Sequence, residues 1–285
     1  MRALVLVAAL ITGNAQAFTC DKIVGHEDLT AFALDKANVQ LAGKALQTPF
    51  QYPPAALGVR ARHATNPVVR GNFATDHAEN VDEVSLTEFY GMARGELLGY
   101  SSEHMDLHGL RTYRTAGGAE QVDSAAVSCR RAHDRIKAAA RKALELWEDD
   151  LQQALFFTGH AIHPIQDSFS QAHTRRGPNL RQLVDVCTWE VEAPGACKHR
   201  NWLGQDFDPS DIIWGAWVTC AFSRSAECLK PEAAAAVDVT TGFLILMAQL
   251  ADVKADATTI DARVESFLTT QDALPGSGFY DCSTL

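Results

Sequence analysis

The chain has no long basic run, no unbroken apolar run as long as a bilayer needs, no Gly/Ser or proline-rich linker, no internal repeat and no CxxC pair. Each absence removes a class. Without a basic stripe a nucleic-acid binder loses its usual electrostatic footprint, and the few basic runs, Arg130-Arg131, Arg175-Arg176 and Lys198-His199-Arg200, are short. Lys+Arg 25 against Asp+Glu 35 leaves a net charge of -10, which opposes capture of a polyanion. Bound divalent ions would invert that sign locally, so the charge weighs lightly. Without a linker or a repeat, one domain is favoured over two. Without CxxC spacing the 7 cysteines read as structural rather than as a zinc knuckle.

What is present begins with an export signal. MRALVLVAALITGNAQA carries a basic start at Arg2, an apolar run from Ala3 to Ile11 and a small-x-small site at Ala15-Gln16-Ala17. The expected mature chain, 18–285, starts at Phe18 and is secreted or periplasmic, where disulfides form. Cys187 with Cys197 and Cys220 with Cys228 are nearest in sequence and are the pairs to expect first, although connectivity does not follow from sequence and one thiol is left over. The later stretch GFLILMAQLADV is shorter than a bilayer requires and ends in charge, so no transmembrane anchor is expected.

Helical periodicity dominates and strand alternation is scarce, which predicts an all-α fold, a single multi-helix domain with long connecting loops. A first helix should open at Glu27-Asp28 and run to about Leu46. A second should be capped by Asp123 or Ser124, and a third should run from about Asp149 to Ala172, apolar nearly all round and therefore buried. Asp208-Pro209 should introduce a helix through IIWGAWVTCAF, and Pro231 should open the last one. TPFQYPPAALG reads as a loop, and Pro164 should kink the third helix.

The chemistry concentrates in GHAIHPIQDSFSQAHTRR. His163 and Asp167 stand one helical turn apart, so both can reach one ion, and His173 falls where the helix should be ending. An isolated His–Asp pair at this spacing more often just shares a hydrogen bond. Here the flanking Leu155, Phe156, Phe157, Ile162, Ile165 and Phe169 bury the pair, and buried ionisable groups tend to be paired or to hold metal. Imidazole with carboxylate suits zinc. His160, three residues before His163, fits an outer hydrogen-bonding role or an alternative ligand, while His63 and His133 belong to no motif.

HxxxDxxxxxH on a buried helix, preceded by QALFFTGHAIH, resembles the signature of the zinc-dependent phospholipase C and single-strand-specific nuclease superfamily. The resemblance covers about Leu146 to Arg176 and extends to the region from Phe18 to Ala37. It implies a helical enzyme binding up to three Zn2+ ions. It also implies that the processed amino terminus, Phe18, chelates one zinc through backbone atoms, helped by His26 in IVGHEDLTAFAL. His163 and Asp167 would hold another ion with Asp167 bridging, and His173 would serve the third. The remaining aspartate maps to Asp76 in NFATDHAEN, with His77 and Asp82 as substitutes. The remaining histidine maps to His104 in YSSEHMDLHG, with His108 as competitor. For the third ion His199 is the histidine, but Leu203 stands where its carboxylate belongs, so Asp206 replaces it from a loop, ahead of the cap residue Asp208.

By this resemblance Asp76 and Asp167 are the catalytic carboxylates, with Asp76 orienting or deprotonating the attacking water. QDSFSQAH followed by Thr-Arg-Arg is closer to secreted bacterial phospholipases C than to the GD(I/V)xQPLH of the nucleases. The implied partner is a phospholipid at a membrane surface, with nucleic acid second. Arg175 or Arg176 could assist a phosphate, against a plainer reading as a solvated helix end. A third reading is a non-catalytic secreted zinc-binding protein, motivated by Leu203.

Overall fold

The computed structural model describes residues 25–60, 63–76, 108–109, 111, 113–116, 119–171, 173–188, 213 and 225–285. Six α-helices lie among them: α1 (His26–Ala42), α2 (Pro67–Asp76), α3 (Ala125–Leu146), α4 (Leu151–Asp167), α5 (Pro231–Asp252) and α6 (Ala257–Thr269). Two short antiparallel hairpins join them, β1 (Tyr113–Ala116) with β2 (Ala119–Val122) and β3 (Thr174–Arg176) with β4 (Leu183–Val186). The expected helical class is therefore observed.

Local chemistry sets the helix ends. Ser124 caps α3, its hydroxyl accepting from Val127 N at 3.3 Å, so of the two candidate caps the serine serves. Asp150 caps α4 and Asp256 caps α6 in the same way. Pro231 occupies the first turn of α5, which is not the last helix as expected, because α6 follows it behind its own cap at Asp256. Asn66 opens α2, accepting from Val68 N and Val69 N at 2.9 and 3.2 Å just ahead of Pro67. Neither α2 nor α6 stood out by apolar periodicity.

Two expected boundaries are corrected. α1 ends at Ala42 rather than near Leu46, because the chain turns at Gly43 and delivers the N–H groups of Gln47 and Thr48 to the Asp252 carboxylate. α4 stops at Asp167 rather than Ala172. There Ser168 N bonds Pro164 O at 3.1 Å, the Ser168 hydroxyl donates to Ile165 O at 2.7 Å, and the chain turns into β3. The helix is continuous through Pro164. The expected loop lies between α1 and α2, and the expected helix after Asp208-Pro209 falls outside the described residues apart from Ile213.

The central element is α4, which packs against α2, α3 and α5, while α1 covers α5 and α2 and α6 lies on α3. Every residue of α4 from Ala154 to Asp167 is buried. Burying side chains such as Leu155, Phe157, Ile162 and Ile165 contributes about 1.5–3 kcal/mol each. That apolar gain carries the polar side chains of the same helix into the interior. α5 is long and apolar enough to cross a membrane by length and composition, and 78% of its most apolar window is buried in this fold. At the α2–α4 crossing no side chain intervenes: a Cβ on Gly71 would lie 1.8 Å from Phe156 O, and one on Gly159 would lie 2.2 Å from Val68 O. This backbone contact brings Asn72 onto His163.

Cys129 of α3 is bonded to Cys282 near the carboxyl end. Proximity in sequence did not suggest this pair, since 153 positions separate its members. Cys187 and Cys228 are also disulfide-bonded, whereas Cys197 and Cys220, expected as their partners, lie outside the described residues.

Candidate metal centre

Asp167, fully buried at the end of α4, is surrounded by four buried imidazoles from three parts of the chain. Its Oδ1 lies 3.2 Å from His26 Nε2 at the start of α1. Its Oδ2 lies 3.1 Å from His163 Nε2, one turn back on α4, and 3.2 Å from His108 Nδ1. His173 Nδ1, just past the turn after α4, stands 3.5 Å from the same oxygen and 2.8 Å from His108 O. The His26 and His163 rings stack at 4.5 Å. Thus the two oxygens of one carboxylate face different rings.

Proton bookkeeping shows what the cluster can hold. His163 Nδ1 faces Asn72 O at 3.0 Å and Asn72 Oδ1 at 2.8 Å, and His26 Nδ1 faces Gln166 Oε1 at 2.7 Å. Oxygens accept, so each Nδ1 carries a hydrogen, and in its neutral form each ring turns a lone pair at Nε2 toward Asp167, which when ionised is itself acceptor-only. Lone pairs directed at lone pairs repel until a cation stands among them. Metal-binding histidines are held in this manner, with the rear nitrogen committed to an oxygen. Asp167 Oδ1 has no hydrogen-bond donor among the described residues, and the ligand atoms of His26, His163 and Asp167 all lie within 4.8 Å of one another. The donor set therefore fits a metal ion.

Burial works to raise the Asp167 carboxyl, but the positive charge that His163 and His173 carry when protonated, with hydrogen bonds from His108 and His163, outweighs it and holds the group well below the usual carboxylate range; a bound cation would supply the same charge with the rings neutral. Burial pushes His173 down to about 4, partly opposed by Asp167, so its ring is neutral and able to ligate at ordinary pH.

Other expected residues divide. Phe18, His104, His199 and Asp206 lie outside the described residues, as do His77, Asp82 and Asp208. His108, the competitor to His104, is in the cluster. Asp76 ends α2, four residues beyond Asn72, and its side chain is outside the described part. His160 is tied to α2 through Thr75 Oγ1 at 2.9 Å, packs against Phe156, and is driven down to about 3 chiefly by burial.

Arg176 is neither a phosphate clamp nor a solvated helix end. It is held over the Phe169 ring at 4.1 Å and donates to Ser168 O, Leu180 O and Phe279 O, while Arg175 is exposed. Sequence reasoning missed Asn72 and Gln166. Only the cost of placing an amide in an apolar helix could have signalled Gln166.

A second group, Cys129, His133 and Cys282, is also compact, but both sulfurs are used in the disulfide and offer no thiolate. His133 is buried, a packing role, and bridges Tyr280 O at 2.7 Å and Glu265 Oε1 at 3.1 Å. The hydrogen bond from His133 pulls the Glu265 carboxyl down to about 2 against its partial burial, with help from Lys137. Because the folded value lies below the ordinary 4.5, the stability this contact gives is complete above pH 4.5 and fades as pH falls toward 2. Glu265→Gln should accordingly lower the melting temperature near pH 6 modestly, since solvent screens this half-exposed carboxylate, and match the native chain near pH 2. Thermal melts of both proteins across that range check it; parallel curves would refute the assignment.

No family model, no curated protein and no solved structure matches this chain, so the chemistry of these side chains is what speaks for its function.

Proposed function

We propose that the chain is a secreted zinc-dependent phosphodiester hydrolase of the phospholipase C type, releasing a phosphorylated head group from a glycerophospholipid. The observation that carries this reading is the convergence of His26, His108, His163 and His173 on Asp167, with two Nε2 lone pairs directed at the carboxylate. A mixed imidazole and carboxylate set favours zinc over the hard cations, which prefer all-oxygen cages. The HxxxDxxxxxH spacing, with His163 and His173 both buried against Asp167 Oδ2, supports the same reading.

When bound, zinc supplies a water of near-neutral pKa and positive charge to offset the charge that develops on the phosphorus oxygens. The chain's own side chains do the rest. Asp167, with one oxygen toward His26 and the other toward His163 and His108, suits a bridging role. His108 supports that carboxylate at 3.2 Å, and Asp76, at the end of α2, is the residue proposed to orient the attacking water or take its proton. Phe18, His104, His199 and Asp206 remain proposed ligands, with His108 ahead of His104 for the position they compete for. The net charge of -10 favours zwitterionic over strongly anionic lipid, because like charges oppose docking.

The mature protein, loaded with zinc, should release phosphocholine from phosphatidylcholine vesicles and leave single-stranded DNA intact. Turnover of the DNA alone would reject the lipase reading in favour of the nuclease. Turnover of neither, with a single zinc per chain, would leave only a structural metal.

A further inference from the structure

The orientation of the two stacked histidines traces back to a single hydroxyl. Thr30 lies one turn after His26 on α1, and its hydroxyl hydrogen is spent on His26 O at 2.8 Å. Its oxygen can then only accept. Two buried side-chain amides approach it, Asn72 from α2 at 3.0 Å and Gln166 from α4 at 3.1 Å. The two ends of an amide are told apart by their partners, so in both residues the end facing Thr30 must be the NH2. The opposite ends follow: Asn72 Oδ1 faces His163 Nδ1, and Gln166 Oε1 faces His26 Nδ1. The second hydrogen of the Asn72 amide also reaches Gln166 Oε1 at 3.0 Å, which locks the two amides to each other.

We infer that Thr30, Asn72 and Gln166 are positioning residues that hold His26 and His163 as Nδ1–H tautomers, with both Nε2 lone pairs aimed at Asp167. The network contacts no substrate. It acts through the two rings, and its effect on metal affinity rests on the metal-centre reading above, although the tautomers themselves do not. The two rings are not equally dependent on it. His163 Nδ1 has a second acceptor in the backbone carbonyl of Asn72 at 3.0 Å, which cannot flip. For His26 the acceptor is the Gln166 amide, which can. If Thr30 loses its oxygen, only the longer contact to Thr240 Oγ1 at 3.5 Å and the Asn72 amide still fix Gln166, so a turn of its NH2 toward His26 becomes cheaper; that turn moves the ring hydrogen to Nε2 and removes one lone pair from the site.

Long-range 1H–15N correlation spectra of the metal-free mature protein read the tautomers, and competition with a chromogenic chelator reads zinc affinity. The native chain should show His26 and His163 both as Nδ1–H. In Thr30→Val, His26 should become a mixture or switch to Nε2–H while His163 stays as it was, and zinc affinity should fall roughly 10- to 100-fold, as for other lost outer partners. Thr30→Ser, which keeps the oxygen, should restore both readouts. An Nε2–H His26 in the native chain would overturn the inference, and that measurement needs no variant. So would a Thr30→Val protein with the native His26 tautomer and native affinity. Correct tautomers in a native chain that binds no zinc would instead reject the metal-centre reading and leave the network standing.

Discussion

Asp167→Asn should abolish the metal binding and the hydrolysis proposed above while leaving a folded metal-free chain. The substitution removes the charge and turns one acceptor into a donor. In the metal-free protein the new amide can donate to a lone pair that the carboxylate could not satisfy, which offsets part of the stability the depressed carboxyl contributes at neutral pH, so the variant should still fold in chelator with a lower melting temperature. Toward a cation the effect is opposite, because the carboxylate that faces both His26 and His163 is gone. The loss should exceed the roughly 10- to 100-fold that follows removal of an outer hydrogen-bond partner. Metal content per chain and hydrolysis at saturating zinc measure the first effect, and thermal melts in chelator measure the second. A variant with native metal content and native turnover would place the site elsewhere.

A large loss of stability should come from Gly159→Ala. Its Cβ would lie 2.2 Å from Val68 O, 2.6 Å from Asn72 N and 2.9 Å from Gly71 C, all backbone atoms of α2 that no rotamer change can move away. Overpacking usually costs about 1–3 kcal/mol when side chains can shift. Here whole helices must part, so the expected cost exceeds about 3 kcal/mol, a fall in melting temperature of roughly 6–12 °C or more at this chain length. Because α2 carries Asn72, the same displacement should weaken metal binding. Gly43→Ala is the control: its Cβ would meet nothing closer than Gln40 O at 3.6 Å, and it should change stability by no more than about 0.5 kcal/mol. Chemical denaturation of the three proteins decides; equal midpoints for Gly159→Ala and the native chain would mean the helices do not meet as described.

How much of this could be read in advance depended on distance along the chain. α4 was legible because an unbroken apolar stretch needs burial whatever its neighbours, and His163 with Asp167 was legible because one helical turn places both on one face. His26 entered through resemblance to a family pattern, not through its own surroundings. The Asn66-Pro67 start of α2 was a local signal in plain view, yet a helix of 10 residues holding Arg70, Gly71 and Asn72 shows little periodicity. Thr30 and Asn72 gave no signal, and Gln166 gave only the cost of an amide in an apolar helix, since their roles exist only once α1, α2 and α4 have met, and that meeting depends on the bare backbone at Gly71 and Gly159. The Cys129–Cys282 bridge was hidden for the same reason.

That bridge also gives the chain a covalent topology. It closes a ring spanning 153 positions, and His163, Asp167 and His173 lie inside it, whereas His26 and His108 hang on the arm outside. A single proteolytic cut anywhere within the ring releases no fragment and leaves those three residues on one molecule. Considering this bridge alone, a cut on the arm between His108 and Cys129 separates His26 and His108 from the carboxylate they face, so the Cys129–Cys282 bond guards the ring half of the centre and not the arm half.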